Sequence, residues 1–441
     1  MEVAGKKVAV IGLGRSGVAA ARFLFERGAR LVLIDRDHSV GRNAELPPGE
    51  LHLGAEDPWW LAGCDLVITS PGVARDNRLL AHASRIGIPI WSELELAARN
   101  FRHPTIAITG TNGKSTVTVM LGEVFKAAGL RVFVGGNLGV PLIEAMRGAY
   151  DLGVIEVSSY QLEWIEKFHP RVGVYLNLSA DHLDRYRNLE DYGRAKAALF
   201  RNQNFRDWAL LNRDDPRVFA IAPELHAKLV SFGLSAPAKE PSLHIEDDAI
   251  VYRLDSRAGR LALGGFALAG RHNLMNAMAA AGAALAMEID APVIEQALSG
   301  FKGLPHRIEL VRERDGVKFI DDSKATNVGA VVEALAAATA PVILIAGGTD
   351  KGGDYAPLLA PLRAKVRRVI LIGAAREKMA AALAGATEIA RVTTLAEAVA
   401  MAASMARAGE TVMLSPACSS FDQFKDYAER GDLFKELVRA L

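Results

Sequence analysis

The nine residues "ITGTNGKST" (108–116) join a short apolar run, "PTIAIT", to a helical pattern, "TVTVMLGEVFKAAG". A phosphate-binding loop normally has a glycine, four further residues and then Gly-Lys-Ser/Thr. In this chain that first position is Ile108, and the glycines are Gly110 and Gly113. The stretch is therefore either a chance match or a nucleotide loop of a variant type, and its strand–loop–helix setting favours the nucleotide loop over a plain turn.

Such a loop would place successive backbone N–H groups at the start of a helix, where they can bind phosphates. Lys114 would contact the terminal phosphates, and the hydroxyl of Ser115 would bind Mg²⁺. Two later apolar runs end in further polar groups: Glu156 in "VIEVSSYQLE", and His182 in "NLSADHLDRY" with Asp181 and Asp184 beside it. In one parallel sheet these groups could meet at a phosphate-bound Mg²⁺.

Short apolar runs alternate with helical patterns along the whole chain, which is typical of α/β domains with mostly parallel sheets. The runs include "KVAVIGLG", "RLVLIDRD", "YDLGVIEVSS" and "APVILIAGG". The pattern predicts three domains: a Rossmann-like N-terminal domain at 1–95, a central P-loop-type ATPase domain at 96–303 and a Rossmann-like C-terminal domain at 304–441. The Ala-rich run "NLMNAMAAAGAALAMEI" is predicted to be a buried helix and not a membrane span.

The first domain contains a dinucleotide-type fingerprint. Gly12, Gly14 and Gly17 follow a strand in the G-x-G-x-x-G pattern, and Asp35 ends the next strand. Glycines at this turn allow close phosphate approach, and the acid suits a ribose. Three interpretations stay open from these residues: a nicotinamide enzyme, a tight turn that binds nothing, and a Rossmann-like domain for another nucleotide. "SPGV" (70–73) ends a further strand of this sheet.

The composition excludes several classes of protein. With 52 basic and 51 acidic residues among 441, the net charge of +1 argues against a nucleic-acid-binding surface. Cys64 and Cys418 are the only cysteines, too few for a disulfide framework or a zinc site, and they suit a reducing cytoplasm. The N-terminal sequence leads directly into a strand and does not have the pattern of a signal peptide.

Eight motifs in this order resemble those of the Mur ligases, the ATP-dependent amino-acid-adding enzymes of peptidoglycan synthesis. They are "GTNGKST", "GGNLG", "EVSSYQLE", "DHLDRY", "RHNLMNAMAA", "GLPHR", "DDSKATN" and "LSPACSSFDQF". The resemblance covers essentially the whole chain. "GTNGKST" and "DHLD" also occur in folylpolyglutamate synthases, whereas "DDSKATN" and "SPACSSFDQF" are typical of the member that adds D-glutamate.

The resemblance implies a two-step ligation. ATP phosphorylates the alanine carboxylate of UDP-N-acetylmuramoyl-L-alanine, and the amine of D-glutamate then attacks the acyl phosphate through a tetrahedral intermediate. It also implies that the first domain binds a UDP-sugar instead of a dinucleotide. We expect a cytoplasmic monomer with no nucleic-acid or membrane partner.

The resemblance also implies the site residues and two Mg²⁺ ions. Ser115 and Glu156 would hold one ion, and His182 would support the second. From its own surroundings Lys196 is predicted to be an ordinary lysine on a helix surface, but the resemblance implies that it is carbamylated and contacts the second ion. The ATP contacts would be Gly110, Thr111, Asn112, Gly113, Lys114, Ser115, Thr116, Asn273, Asn276, Arg307 and Asp322.

The two remaining substrates have their own sets of residues by the same resemblance. The UDP-sugar contacts would be Gly14, Arg15, Ser16, Asp35, Arg36, Ser70, Gly72 and Asn137. The D-glutamate contacts would be Lys324, Thr326, Lys351, Ser420 and Tyr427. Two lysines in one pocket suit a dicarboxylate.

Three rival functions make different predictions. A nicotinamide-dependent dehydrogenase would account for the N-terminal fingerprint but not for "GTNGKST" or "DHLD". A nucleotide-dependent switch protein would release no phosphate in response to an amino acid and a UDP-sugar together. A sister ligase would add another amino acid, which "DDSKATN" argues against.

Overall fold

The computed structural model describes residues 2–40, 45–183, 185–237, 241–268, 270–339 and 341–441. The chain divides into two units. The first unit contains Met1–Asn177, Tyr192–Phe266 and Met275–Gly300, and the second contains Leu178–Asp191, Ala267–Leu274 and Phe301–Leu441. No helix among the described residues is both long and apolar enough to cross a membrane.

The first unit begins with a five-stranded parallel sheet in the order β3-β2-β1-β4-β5. Its strands are β1 (Lys7–Ile11), β2 (Arg30–Asp35), β3 (Glu50–Leu53), β4 (Leu66–Thr69) and β5 (Ile90–Ser92). Its helices are α1 (Arg15–Glu26), α2 (Arg78–Arg85) and α3 (Glu93–Ala98), with a 3₁₀ turn at Pro58–Leu61.

The same unit contains a nine-stranded sheet in the order β14-β13-β12-β11-β10-β9-β6-β8-β7. The pairs from β7 to β12 are parallel, and β13 and β14 extend the sheet antiparallel. The strands are β6 (Thr105–Thr109), β7 (Val132–Gly136), β8 (Leu152–Glu156), β9 (Val172–Tyr175), β10 (Trp208–Asn212), β11 (Lys228–Phe232), β12 (Ser242–Glu246), β13 (Ala249–Leu254) and β14 (Arg257–Ala262).

The helices that follow these strands in the chain include the predicted Ala-rich helix, α8. They are α4 (Lys114–Ala127), α5 (Ser159–Leu162), α6 (Leu189–Ala197), α7 (Pro216–Phe219), α8 (Arg271–Ala286) and α9 (Ala291–Gly300). Single 3₁₀ turns lie at Leu142–Arg147, Ala198–Phe200 and Ala222–Glu224. The α8 residues 277–281 are fully buried, as predicted.

The second unit contains a six-stranded sheet in the order β15-β16-β20-β17-β18-β19, in which only the β15–β16 pair is antiparallel. The strands are β15 (Glu309–Arg314), β16 (Val317–Asp321), β17 (Val342–Gly347), β18 (Val366–Ile372), β19 (Glu388–Arg391) and β20 (Thr411–Leu414). The helices are α10 (Val328–Ala337), α11 (Leu359–Lys365), α12 (Arg376–Ala382), α13 (Leu395–Met405) and α14 (Tyr427–Ala440), with a 3₁₀ turn at Ala356–Leu358.

Burial on both faces explains why the central strands are continuous apolar runs. In β17, Val342 and Leu344 belong to one hydrophobic cluster, and Ile343 and Ile345 belong to the cluster on the other face. The α/β class with mostly parallel sheets is confirmed. Several strands that the sequence did not single out, such as β3, β14 and β19, are partly exposed, whereas β10, which was also missed, is buried along its length. The boundaries near residues 95 and 303 stay a prediction.

A buried carboxylate ties α3 to the loop before β9. Glu95 is fully buried, and its oxygens accept hydrogen bonds from the backbone N–H groups of Glu166, Lys167 and Phe168 at 2.9 to 3.0 Å. Arg99 Nε donates to it at 2.6 Å. Each of these bonds has a charged acceptor, so the net stabilisation of each is roughly 1.5–3 kcal/mol.

Gly17 allows α1 to pack closely on the turn that precedes it. A Cβ atom at this position would lie 1.9 Å from the carbonyl oxygen of Gly12 and 2.6 Å from Ser70 Oγ. We expect Gly17→Ala to reduce the free energy of unfolding by about 1–3 kcal/mol, because the backbone would have to move. Gly14→Ala is the control, since its Cβ would meet no atom within 4 Å. Urea titration checks both variants, and equal stability would contradict this packing argument.

Glu93 should make stability depend on pH. Burial raises its pKa to about 7, and Ile143 N donates to Oε1 at 3.2 Å. Between about pH 4.5 and about pH 7 the folded protein therefore keeps a proton that the unfolded chain has lost, so this group destabilises the fold as pH rises. Glu93→Gln removes that effect.

Raising the pH from about 5 to about 8 should therefore increase the stability of Glu93→Gln relative to wild type by roughly 2.5 kcal/mol. Urea unfolding of both proteins at the two pH values measures it. Other titrating groups cancel in the difference. A difference that is constant with pH would show that Glu93 ionises normally.

Candidate functional site

The predicted nucleotide loop follows β6, between two neighbouring strands. In the sheet register, Ile108 lies opposite Glu156 of β8, and Thr109 lies opposite Tyr175 of β9. Parallel strands end at the same edge of a sheet, so the loop, the Glu156 carboxylate and the segment after β9 meet there. The loop leads into α4, whose first residue is Lys114.

The side chains of Lys114 and Asn177 make hydrogen bonds to the backbone of the loop. Lys114 Nζ donates to the carbonyl oxygens of Gly110 at 2.9 Å and Thr111 at 2.8 Å. Asn177 Oδ1 accepts from Asn112 N at 2.8 Å, and its Nδ2 donates to Asn112 O at 3.1 Å. Gly113 has a φ of 85° and caps α4. Its missing side chain leaves room for Asn276, whose Oδ1 would be 2.4 Å from a Cβ there.

Three predicted site residues form a hydrogen-bonded chain beside the loop. Ser115 Oγ donates to Glu156 Oε2 at 2.6 Å, and Asn137 Nδ2 donates to Glu156 Oε1 at 2.7 Å. Ser115 and Glu156 are buried. A hydroxyl and a carboxylate oxygen at the start of a phosphate-binding helix are the ligands that Mg²⁺ prefers. This donor set therefore fits the predicted ion.

Lys196 contradicts its sequence-based interpretation as a surface lysine. It is 1% exposed, and its Nζ donates to Gly110 O at 2.8 Å and lies 4.4 Å from the centre of the Tyr192 ring. Tyr192 and Lys196 are four residues apart on α6, so they share the buried face of that helix. The interpretation was wrong because a short helix with mostly polar residues does not reveal which face is covered.

The first unit contains a cavity of about 630 Å³ at the carboxyl edge of its five-stranded sheet. All eight residues predicted to contact the UDP-sugar line it: Gly14, Arg15, Ser16, Asp35, Arg36, Ser70, Gly72 and Asn137. Both oxygens of Asp35 accept backbone hydrogen bonds, Oδ2 from Leu13 at 2.6 Å and Oδ1 from Asp37 at 2.9 Å. Arg15 Nη1 donates to Gly139 O at 2.8 Å, which links α1 to the loop after β7.

The cavity also has lining residues that the sequence analysis missed, among them Glu56 and Asn77. Asn77 Oδ1 caps α2 by accepting from Leu79 N and Leu80 N, and its Nδ2 donates to Glu56 Oε1 at 2.7 Å. An Asn before a helix is a recognisable cap. The hydrogen bond from Asn77 to Glu56 could not be predicted from the sequence, because Glu56 lies in another loop.

In the second unit, the ends of β16 and β20 surround the predicted ATP contact Asp322. It is 3% exposed, and Ser415 Oγ donates to its Oδ2 at 2.7 Å. Burial raises the pKa of Asp322 to about 7. The neighbouring Arg307 has a buried Nε with no hydrogen-bond partner among the described residues. Asn273 is also in this unit, whereas Asn276 is in the first.

A second cavity, of about 350 Å³, lies in the second unit and is lined by two of the five predicted D-glutamate residues, Thr326 and Lys351. Lys351 Nζ lies 3.3 Å from Asp181 Oδ1, and Asn327 Nδ2 donates to Asp181 Oδ2 at 3.2 Å. The next residue, His182, has a φ of 56°, and its backbone N donates to Asp181 Oδ1 at 3.0 Å. Asp184 is outside the described residues.

The other three predicted D-glutamate residues do not line this cavity. Lys324 Nζ lies 5.1 Å from the centre of the Tyr427 ring, which suits a cation–π contact. Ser420 is 2% exposed, and its Oγ has no hydrogen-bond partner among the described residues. The structure thus places Lys324 and Tyr427 together, and the Ser420 hydroxyl is buried apart from this cavity.

One cluster of potential metal ligands among the described residues contains none of the residues predicted to bind Mg²⁺. His306, Glu309 and Asp321 offer ligand atoms within 4.8 Å of one another. His306 Nδ1 already contacts Asp321 Oδ2 at 2.7 Å, and Lys435 Nζ lies 3.4 Å from Glu309 Oε2. Because hydrogen bonds and a lysine already satisfy these groups, the cluster suits a structural network better than a cation.

Three family models match the chain. "Mur ligase MurD-like, N-terminal domain" matches residues 6–92, "Mur ligase middle domain" matches 108–284, and "Mur ligase, glutamate ligase domain" matches 306–418. The UDP-N-acetylmuramoylalanine--D-glutamate ligase of Geobacter metallireducens is 46% identical over 448 residues, covering 100% of this chain and 99% of that protein. The enzyme of the same name from Geotalea daltonii is 45% identical with the same coverage.

Solved structures share the fold at low identity. A pseudomurein peptide ligase type C from Methanothermus fervidus has a TM-score of 0.63 at 20% identity, covering 99% of this chain and 100% of that one. The UDP-N-acetylmuramate-alanine ligase of Thermotoga maritima has a TM-score of 0.60 at 19% identity, covering 98% and 99%.

Asn177 provides a test of how the loop is held. Asn177→Ala should cost about 2 kcal/mol of stability, because two loop backbone groups lose their partners, and should weaken ADP binding about tenfold. Asn202→Ala is a matched control, since Asn202 Nδ2 binds the carbonyl oxygens of Glu166 and Phe168 away from the loop. Calorimetry with ADP and thermal unfolding measure both effects. Equal loss of ADP affinity in the two variants would contradict a specific role for Asn177.

Proposed function

The chain belongs to the Mur ligase family, and on that premise we propose that it joins D-glutamate to UDP-N-acetylmuramoyl-L-alanine with cleavage of ATP. The products would be ADP, phosphate and the extended precursor of peptidoglycan. The observation that carries this proposal is the full-length likeness to D-glutamate ligases at 46% identity. The cavity of the first unit, lined by every predicted UDP-sugar residue, supports it independently. We further propose that the protein acts as a cytoplasmic monomer.

Phosphorylation makes chemical sense for this ligation. A free carboxylate is a poor acyl donor, because an oxide or hydroxide would have to leave. Transfer of the γ-phosphoryl group of ATP to the alanine carboxylate creates a mixed anhydride from which phosphate can leave. The amine of D-glutamate then forms the new C–N bond through a tetrahedral intermediate, in which preorganised donors stabilise the developing negative charge.

The loop residues have matching roles in this proposal. The backbone N–H groups at the start of α4 would bind ATP phosphates, and Lys114 would exchange its two loop carbonyl partners for phosphate oxygens. Ser115 and Glu156 would hold a Mg²⁺ ion, and His182 with Lys196 as a carbamate would hold a second. When bound, Mg²⁺ offsets the negative charge of the phosphates and the carboxylate that approach each other.

The second unit would bind D-glutamate through cationic groups. Lys351 Nζ lies 3.3 Å from the Asp181 carboxylate at this cavity, a pairing that supports the proposal that its ammonium binds a carboxylate of the substrate. Lys324 would contact the second carboxylate, with Thr326, Ser420 and Tyr427 as polar contacts. Two lysines match the two negative charges of the amino acid's carboxylates.

Phosphate release tests the function directly. The protein is mixed with ATP, UDP-N-acetylmuramoyl-L-alanine and each of several amino acids. Release that requires D-glutamate supports the proposal, and release with another amino acid would indicate a sister ligase. Titration with NADH and with ATP separates the ligase from a dehydrogenase, because only a dehydrogenase should bind NADH tightly.

Lys196 provides a sharper test. Its burial beside the loop suits a group that acts on the nucleotide, and an unmodified ammonium would repel Mg²⁺. We expect Lys196→Ala to fold but to lose about 100-fold or more of kcat, because a carbamate oxygen that positions the ion is lost. Formate or acetate should partly restore this activity by occupying the vacated space.

The matched control is Lys114→Ala, whose predicted defect is in phosphate binding. Small carboxylic acids should not restore its activity. Near-normal kcat of Lys196→Ala in bicarbonate-free buffer would exclude a carbamate role for Lys196 while leaving the ligase function intact.

A further inference from the structure

Arg430 is the largest fully buried side chain in the described part of the protein, at 1% exposure. It lies in the first turn of α14, three residues after Tyr427. Arginine is almost never fully buried unless its guanidinium is bound on all sides. The local sequence "YAERGD" gives no sign of burial, because an arginine between polar residues near a helix start normally lies in solvent.

The guanidinium joins three separate segments of the second unit. Its Nε donates to Ser323 Oγ at 2.9 Å, and Nη2 donates to Ser323 O at 2.9 Å. Both Nη atoms donate to Cys418 O at 3.3 Å, and Nη1 also contacts Ser419 O at 3.4 Å and Gly347 O at 3.5 Å. These acceptors lie after β16, after β20 and at the end of β17.

Two of these segments carry predicted amino-acid contacts. Lys324 directly follows Ser323, and Ser420 directly follows Ser419. Ser323 Oγ also donates to the carbonyl oxygen of Tyr427 at 2.8 Å. A shift of the Ser323 backbone would therefore move Lys324 and Tyr427, whose cation–π contact depends on their relative position.

All the acceptors are neutral, and no carboxylate pairs with Arg430 among the described residues. Burial lowers its pKa to about 10, so the side chain still carries its positive charge at neutral pH. Burial of a cation that has no carboxylate as a direct partner is unfavourable for folding, and well-packed hydrophobic residues often stabilise such a core as well or better. An arginine suits this position because one guanidinium can donate to several carbonyl oxygens. Its positive charge also suits a position near the proposed site for an anionic substrate.

We propose that Arg430 is a positioning residue for the amino-acid substrate, which fixes the segments that carry Lys324, Ser420 and Tyr427. The inference rests on the proposed ligase function. It predicts an effect on the KM for the dicarboxylic amino acid that exceeds any effect on the KM for ATP. Lysine at this position would keep the charge but lose the planar guanidinium and its several N–H donors. It should therefore restore only part of the function.

The test uses the full-length protein and three variants: Arg430→Met, Arg430→Lys and Arg367→Met. Arg367 is the control arginine of the same unit, because it pairs with Glu410 at 2.7 and 2.8 Å and binds Met405 O. Steady-state phosphate release gives the KM values for D-glutamate and ATP, and thermal unfolding gives stability. Lys351→Met serves as a positive control for loss of a direct contact.

We expect Arg430→Met to raise the KM for D-glutamate about tenfold and the KM for ATP less than about threefold, in the range of coupling through packed networks. Arg430→Lys should lie between Arg430→Met and wild type. Arg367→Met should lower Tm without changing the ratio of the two KM values. If Arg430→Met does not fold, Arg430→Lys provides the test. A raised ratio of the KM for D-glutamate to the KM for ATP supports the inference, and an unchanged ratio overturns it.

An equal rise of both KM values in Arg430→Met, or no more change than in Arg367→Met, would show that the arginine only holds the fold together. Wild-type activity is measured first. A wild-type protein that shows no D-glutamate-dependent phosphate release would overturn the proposed function and the inference with it. Normal wild-type activity with an unchanged ratio in both Arg430 variants would overturn the inference alone.

Discussion

The meeting of parallel strand ends at one edge of a sheet is the constraint on which the rest of this structure depends. Backbone groups that leave a buried parallel strand must find new partners, and helix starts and polar side chains provide them. In the nine-stranded sheet, Glu156 at the end of β8 takes its hydrogen bonds from Ser115 and Asn137. In the six-stranded sheet, Asp322 after β16 accepts from Ser415 after β20. Candidate site residues collect at both edges for the same reason.

Buried polar groups connect segments that are far apart in the chain. Glu95 holds three consecutive backbone N–H groups, Lys196 holds the carbonyl of Gly110, and Arg430 holds the ends of three strands. An unsatisfied buried polar group costs roughly 1–3 kcal/mol, so each group constrains the segments that satisfy it. These contacts therefore position loops that hydrophobic packing alone would leave free to move.

The two buried carboxyl groups with raised pKa values differ in their surroundings. Glu93 has one oxygen with no hydrogen-bond partner among the described residues and accepts from one backbone N–H group. Asp322 accepts from Ser415 and lies near Arg307, whose Nε is buried without such a partner. The surroundings of Glu93 suit a neutral carboxyl group that is buried as part of α3. Near Asp322, the N–H group of Arg307 Nε can still donate a hydrogen bond. This arrangement suits a site that binds a ligand.

Much of this protein was predictable from local sequence, because strand and loop patterns depend on neighbours in the chain. The apolar runs identified most of the parallel strands, though not, among others, β10, β11 and β12, and the sequence analysis identified eight of the residues that line the first cavity. The burial of Lys196 and Arg430 and the contacts of Lys196, Asn177 and Arg430 were decided only by tertiary structure. Their partners lie 86, 65 and up to 107 residues away. Burial of a polar side chain depends on such distant partners, so a lysine or arginine in a polar helix has the same local pattern whether solvent or another loop covers it.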